Sequence, residues 1–218
     1  QQNPETDVHL IMPYFPYARQ DRVCNEGEAF SASVMAGLIN GLNCKSVQVF
    51  DPHSNIVVNL LNNCHVVSQA DMLEGSIVAR DIQNKGLVIV SPDKGAADKA
   101  SEVAKRLAAS GCDTEVLYCQ KERDTKTGQI TRSIVTGNVE GKDMIILDDI
   151  CDGGRTFIEL AKVLKEKGVG SLYLYVTHGI FSKSLDVLRE HFEHVYCYHT
   201  LLRSSDIDEQ FLSVIEEK

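Results

Sequence analysis

The chain alternates short apolar runs with longer segments in which apolar residues recur at helical spacing. The short runs lack polar alternation, which is typical of strands that are buried on both faces of a parallel sheet. We predict strands at residues 8–12, 46–50, 86–90, 115–118, 144–150, 170–176 and 195–198. We predict helices at residues 28–42, 54–61, 96–110, 157–167 and 184–191. This order predicts an α/β fold, a doubly wound parallel sheet with ligand-binding loops at the strand tips.

The last segment of the chain, residues 206–217, has its own apolar pattern. Ile207, Phe211, Leu212 and Ile215 fall close to helical spacing. We therefore predict an amphipathic helix at the end of the chain.

The predicted strand at 144–150 has the most informative ending. Its apolar residues run into Asp148 and Asp149, and a glycine pair, Gly153 and Gly154, precedes the next helix. Two glycines allow the backbone to turn tightly and to approach a ligand, and the first N–H groups of the helix point into that turn. A loop of this kind binds phosphate.

The acids of this segment need a different partner from the phosphate. Asp148, Asp149 and Asp152 cannot bind an anion, so they face either sugar hydroxyls or a Mg²⁺ that bridges to phosphate. Acids beside a phosphate loop indicate a phosphosugar site. An ordinary strand-to-helix turn capped by Asp152 is the alternative, and the two preceding acids and the following Thr156 favour the binding loop.

An aromatic and basic loop, residues 14–22, follows the first predicted strand. Aromatic rings and arginine planes beside Gln20 and Asp21 suit a purine base and its ribose, and Arg19 and Arg22 are available to phosphate. A surface loop with an Arg–Asp pair is the alternative.

Two other strands end in candidate ligands. His53 follows the second predicted strand and can ligate a metal or contact a phosphate, with a purely structural histidine as the alternative. Asp93 follows the third predicted strand and can bind Mg²⁺ or a ribose.

A charged, Thr-rich stretch at residues 119–129 interrupts the strand pattern and predicts a long mobile hairpin or flap. Lys121 and Arg123 share one side of an extended strand, which suits closure over phosphates. A solvated hairpin tip is the alternative.

Composition narrows the class of partner. The chain has 218 residues, is 43% hydrophobic and carries a formal net charge of -9, so it can bury a core but is not suited to nucleic acid or an anionic membrane. Its 7 cysteines show no CxxC pair, which is typical of reduced thiols in the cytoplasm. We find no membrane-length apolar stretch and no signal peptide, and expect a soluble cytoplasmic protein. The chain begins Gln1-Gln2-Asn3, which predicts that an N-terminal part is missing.

The segment from Asp148 to Thr156 resembles the phosphoribosyl pyrophosphate loop of type I phosphoribosyltransferases, in which a strand runs into two acids and then an Asp-Thr-Gly-Gly-Thr turn. Gly153 stands where that family usually has Thr, and Arg155 stands where a small residue is usual. An Arg can supply a charge-assisted phosphate contact in place of the missing hydroxyl. The ordered loops at residues 17–22, 51–54, 91–93, 121–123, 148–156 and 177–179 resemble the ribose-phosphate pyrophosphokinase family over nearly the whole chain.

This resemblance implies two tandem phosphoribosyltransferase-like domains with parallel sheets flanked by helices. Residues 1–74 would be the remainder of an N-terminal ATP-side domain, completed by the last helix at 203–218. Residues 75–202 would be the C-terminal domain with the ribose 5-phosphate loop. The resemblance also implies a homo-oligomer with sites shared between subunits.

The implied reaction is transfer of the pyrophosphoryl group of ATP to the 1-hydroxyl of ribose 5-phosphate with Mg²⁺, giving phosphoribosyl pyrophosphate and AMP. The implied roles are ATP binding by Arg19, Gln20, Asp21, Arg22 and His53, metal binding by His53 and Asp93, closure over the phosphates by Lys121 and Arg123, and ribose 5-phosphate binding by Asp148, Asp149, Asp152, Gly153, Gly154, Arg155 and Thr156. Two alternatives remain, a phosphoribosyltransferase that consumes phosphoribosyl pyrophosphate and a non-catalytic protein that regulates an active relative.

Overall fold

The computed structural model describes residues 6–123 and 130–215, with the backbone alone at 120–123 and 130–134. The chain divides between Ser68 and Gln69 into two units, each built on its own sheet. The strands are β1 His9–Met12, β2 Ser46–Phe50, β3 Cys64–Val67, β4 Val88–Ser91, β5 Val116–Arg123, β6 Ile130–Val135, β7 Met144–Cys151, β8 Leu172–Gly179, β9 His194–Thr200 and β10 Leu212–Val214. The helices are α1 Ser31–Asn40, α2 Asn55–Leu60, α3 Gln69–Leu73, α4 Ile77–Lys85, α5 Ala97–Ala109, α6 Arg155–Glu166 and α7 Asp186–Arg189.

The smaller unit is a parallel sheet in the order β1-β2-β3. Val47 and Val49 of β2 pack with helix residues Ala32 and Ala36, whereas the alternate β2 positions are partly exposed. Polar residues alternate with valine in β2, so only one face of this strand can be apolar. The helix α1 turns its small residues to the core and leaves Val34 64% exposed.

The larger unit has a seven-stranded sheet in the order β10-β9-β8-β7-β4-β5-β6. The described pairs are parallel except for β5 and β6, which form the antiparallel hairpin that the sequence predicts. Met144 and Ile146 of β7 belong to the core cluster with α6 and α7, and Ile145 and Leu147 belong to the cluster with α3, α4 and α5. This strand is therefore buried on both faces, as its uninterrupted apolar sequence predicts.

The prediction of a C-terminal helix at 203–218 is wrong for the described part of that segment. Residues Ser204–Asp206 form one 3₁₀ turn, and β10 runs parallel to β9 with Leu212 opposite Val195. Leu212 packs in the cluster on one face of the sheet, while Ile215 packs against the cluster on the other face. The open edge of β9 offers backbone hydrogen bonds that a helix could not use, so strand pairing overrides the local periodicity.

No helix within residues 6–123 and 130–215 has both the length and the apolarity that a membrane crossing requires.

The segment that ends in β10, residues 207–214, should contribute directly to the stability of the larger unit. Phe211 is 5% exposed, and its ring centroid lies 4.5 Å from the guanidinium carbon of Arg189. We expect Phe211→Ala to lower the free energy of unfolding by about 3–5 kcal/mol in urea denaturation, since a large buried ring is removed. Leu201→Ala is the matched control because Leu201 is 64% exposed and should cost less than about 0.5 kcal/mol. Equal and small effects of the two variants would contradict a packed tail.

Candidate functional site

The two acids predicted as ligands lie at the carboxyl end of β7, where the buried strand reaches the loop. Asp149 is 6% exposed and Asp148 is half-buried. Burial raises the pKa of the Asp148 carboxyl well above its usual range, and the negative charges of Asp149 and Asp93 raise it further. The arrangement therefore favours a ligand that brings hydrogen-bond donors or positive charge.

Asp93 is brought to the same edge of the sheet because β4 pairs directly with β7. Its Oδ1 accepts hydrogen bonds from the backbone N–H groups of Gly95 at 2.9 Å and Ala96 at 3.3 Å. The Ser91 hydroxyl donates to the Asp93 carbonyl at 2.9 Å. These contacts hold the turn that leads into α5 and fix the position of the carboxyl group.

Two residues of this site were not identified from the sequence. Lys99 of α5 lies with its Nζ 3.7 Å from Asp149 Oδ2. The Gln69 side-chain amide donates to the Asp148 carbonyl at 2.8 Å and to Thr177 Oγ1 at 3.3 Å. Both contacts depend on the order of the strands and on the packing of α3 and α5, so no local sequence signal encodes them. Lys99 supplies one positive charge to the acidic pair.

The predicted phosphate loop, residues 152–156, runs from the end of β7 into the first turn of α6. Gly154 has a left-handed φ of +73° and precedes the first residue of α6. The loop is attached to the segment after β8, because Ile180 and Phe181 donate backbone hydrogen bonds to the Cys151 carbonyl and Ser182 donates one to the Asp152 carbonyl. Burial raises the pKa of the Cys151 thiol to about 12, so this thiol is not a nucleophile.

The remaining predicted loop residues have different surroundings. The Arg155 side chain is 89% exposed and donates from Nε to Glu159 Oε1 at 2.7 Å, one turn further along α6. Thr156 is exposed in the first turn of the same helix. The first N–H groups of α6 face the loop, as they do at the start of every α-helix. The loop can therefore offer backbone N–H groups, whereas Arg155 is directed to Glu159.

In the smaller unit, the structure brings together three residues predicted at the nucleotide. Asp21 is 3% exposed and accepts hydrogen bonds from Arg22 Nε at 2.9 Å and Arg22 Nη2 at 3.3 Å. The hydrogen bond from Arg22 lowers the pKa of the Asp21 carboxyl, and the Ser54 hydroxyl and the charge of His53 lower it further, against the effect of burial. Arg19 and Gln20 are exposed on the same loop.

The two predicted flap residues, Lys121 and Arg123, belong to β5. The structure describes only their backbone, so their predicted role is not tested by side-chain contacts. In the part of the chain that the structure describes, no group of three or more His, Cys, Asp or Glu residues could hold a metal ion.

The chain is similar in sequence to proteins of one known family. The profile of the phosphoribosyl transferase domain family matches residues 59–200. The chain belongs to this family. Ribose-phosphate pyrophosphokinase of Cereibacter sphaeroides is 35% identical over 181 residues, covering 80% of this chain and 51% of that protein. The enzyme of the same name from Agrobacterium fabrum is 33% identical over 179 residues, covering 80% of this chain and 54% of that protein. The chain thus spans about half the length of the curated relatives it matches.

The comparison with solved structures agrees on the fold. A crystal structure of phosphoribosylpyrophosphate synthetase from Mycobacterium smegmatis aligns with a TM-score of 0.78 at 23% identity, covering 96% of this chain and 67% of that one. The resemblance inferred from the loops and the α/β fold with parallel sheets flanked by helices are therefore confirmed.

Two stacked histidines lie at the same edge of the sheet, on β8 and β9. His178 of β8 and His199 of β9 are paired in register, with ring centroids 6.1 Å apart and planes 9° from parallel. The Tyr198 ring meets His199 edge-on with a centroid separation of 4.7 Å. Burial lowers the pKa of His199 from its ordinary value of 6.5 to about 4, and nearby His178 adds to the effect. His199 is therefore neutral at pH 7.

The left-handed backbone of Gly154 should be essential to the loop. A Cβ at Gly154 would lie 3.0 Å from Leu188 Cδ2, whereas one at Gly153 would meet only the Lys183 Cγ at 3.4 Å, without a left-handed φ. We expect Gly154→Ala to lower the free energy of unfolding by about 1–2 kcal/mol. The control Gly153→Ala should change it by less than about 1 kcal/mol. Urea denaturation measures both, and equal values would show that the loop does not need the left-handed residue.

The buried His199 should make stability depend on pH. The unfolded chain binds a proton near pH 6.5 and the folded chain only near pH 4, so the unfolded state gains stability as the pH falls through this window. We expect the melting temperature to decrease from pH 7 to pH 4.5, and to decrease less in His199→Asn, which has no proton to bind. The same decrease in both proteins would assign the acid sensitivity to other groups.

Proposed function

We propose that this protein is a ribose-phosphate pyrophosphokinase, which transfers the pyrophosphoryl group of ATP to the 1-hydroxyl of ribose 5-phosphate and gives phosphoribosyl pyrophosphate and AMP. The observation that carries the proposal is the match to relatives of that name over 181 residues, which is longer than the span 59–200 of the domain family. A phosphoribosyltransferase shares that domain family, but the relatives named above do not carry that name.

The geometry at the end of β7 supports ribose 5-phosphate as the acceptor. Asp148 and Asp149 would accept hydrogen bonds from ribose hydroxyls, which compensate for the burial and the neighbouring negative charge that raise the pKa of Asp148. Backbone N–H groups of residues 152–156 and the Thr156 hydroxyl would bind the 5-phosphate at the positive end of the α6 dipole. Lys99, paired with Asp149, would balance the charge of this carboxylate.

ATP binding is assigned to the loops of the smaller unit. The exposed Arg19 and Gln20 would contact the nucleotide, and Arg22 would be held in position by its two hydrogen bonds to Asp21. A buried carboxylate that fixes a guanidinium lowers the entropy lost when that guanidinium binds phosphate. His53, whose charge acts on Asp21, would lie beside the same ligand.

The reaction joins the 1-hydroxyl oxygen of the sugar to the β-phosphorus and breaks the bond from that phosphorus to the oxygen retained by AMP, while the hydroxyl proton is released. Negative charge develops on phosphate oxygens, so positioned cations stabilise the transition state. We assign this role to Lys121 and Arg123. No protein nucleophile takes part.

Mg²⁺ is the proposed cofactor, and the family resemblance names His53 of the smaller unit and Asp93 of the larger unit as candidate ligands. The described residues lack a three-ligand cage, which fits an ion that keeps waters and uses one or two carboxylates together with substrate phosphates. The bound ion would neutralise phosphate charge. We extend the proposal to a cytoplasmic homo-oligomer with sites shared between subunits, on the basis of the family resemblance.

³¹P NMR of the full-length protein with ATP, Mg²⁺ and ribose 5-phosphate tests the function. We expect AMP and phosphoribosyl pyrophosphate to accumulate, and Lys121→Ala to slow their formation by roughly 100-fold or more, as removal of one transition-state donor does. Lys105→Ala removes an exposed lysine of α5 and should leave the rate unchanged.

If the wild-type protein leaves ATP intact, the proposed function fails. In that case, release of pyrophosphate from phosphoribosyl pyrophosphate in the presence of a purine base would identify a phosphoribosyltransferase.

A further inference from the structure

Lys183 lies in the segment between β8 and α7, close to the phosphate loop at residues 152–156. Its Cγ is 3.4 Å from the place that a Cβ of Gly153 would occupy. The aliphatic part of Lys183 therefore lies in van der Waals range of position 153, in the middle of the proposed phosphate loop. The ammonium nitrogen is three bonds beyond Cγ.

The backbone fixes this placement from both sides. Three hydrogen bonds attach residues 180–182 to the Cys151 and Asp152 carbonyls, at 2.8, 3.1 and 3.1 Å. Phe181 and Ser184, which flank the pair Ser182 and Lys183, both have left-handed φ angles, of 50° and 68°. Non-glycine residues adopt this conformation only where the surrounding structure imposes it. Phe181 is 3% exposed, so its packing anchors the segment.

The charged side chains around the loop are mostly negative. The loop and the end of β7 carry Asp148, Asp149 and Asp152, and a phosphate dianion that binds there needs positive charge nearby. The Arg155 guanidinium is bonded to Glu159, and the Lys99 ammonium is paired with Asp149. Lys183 is exposed and forms no ion pair with any residue in the described part of the chain.

We propose that Lys183 is a phosphate-binding residue whose ammonium contacts the 5-phosphate of the sugar at the start of α6. This inference rests on the proposed function, because it assigns the acceptor's phosphate monoester to the loop at residues 152–156. A lysine suits the task, since its charge is compact and its stem can follow the ligand as it enters and leaves. Lys183 is thus a specificity residue for phosphorylated over unphosphorylated sugars.

Equilibrium binding to the full-length protein by isothermal titration calorimetry tests the inference, with ribose 5-phosphate and inorganic phosphate as separate probes. We expect Lys183→Met to weaken ribose 5-phosphate binding roughly tenfold to hundredfold, the range for loss of one charge-assisted hydrogen bond. Lys183→Arg should restore most of the affinity. Lys162→Met, which removes an exposed lysine of α6 and the same charge, should leave the affinity within about twofold because it is screened by solvent.

The outcomes separate this inference from the proposed function. If the wild-type protein binds ribose 5-phosphate and Lys183→Met binds it equally well, or Lys162→Met weakens binding as much, the role of Lys183 is overturned and the proposed function stands. If the wild-type protein binds inorganic phosphate but not ribose 5-phosphate, the proposed function fails, and the phosphate affinity of Lys183→Met decides the role of the lysine. If it binds neither, both fail.

Discussion

The strand β7 lies between β4 and β8 with helices packed on both of its faces, so its side chains have no contact with water until the strand approaches its end. Residues 144–147 are at most 1% exposed. An unpaired charge at any of these positions would carry a large desolvation cost, which confines polar chemistry to the positions that follow. Asp148 and Asp149 occupy the first of them. The burial that stabilises the sheet therefore also determines where a ligand can bind.

Placing two carboxylates there creates an electrostatic problem that the surrounding elements solve only in part. Asp148 and Asp149 repel each other, and the pairing of β4 with β7 adds the charge of Asp93. Lys99 balances Asp149, but the 3.7 Å separation leaves this pair loose. The negative charge that remains favours ligands with hydroxyl donors or positive charge. It lies next to the loop for which we propose phosphate binding. A phosphorylated sugar presents both kinds of group, which is why we propose it as the ligand in preference to a plain phosphate.

Local sequence predicts those features whose causes are local. The uninterrupted apolar runs gave β7 and β8, and apolar spacing gave α5 and α6, each within a few residues. The prediction of a C-terminal helix was wrong because the helical spacing of Phe211 and its neighbours competes with an open strand edge, which only the folded sheet provides. Lys99, Gln69 and Lys183 could not be assigned to the site for the same reason. Each reaches it through the strand order or through a loop from a neighbouring strand.

The glycine at position 153 shows how such a non-local contact can change the meaning of a local motif. The resemblance to phosphoribosyltransferases predicts a threonine there, and we expected from the sequence that Arg155 could supply a phosphate contact in place of the missing hydroxyl. In the structure, Arg155 Nε donates to Glu159, and the Lys183 Cγ lies 3.4 Å from the place that a Cβ of Gly153 would occupy. A threonine at 153 would therefore contact the Lys183 side chain. If Lys183 binds the phosphate as we propose, the missing hydroxyl and the added ammonium form a single exchange, in which the donor to the phosphate moves from the β7 loop to the loop after β8.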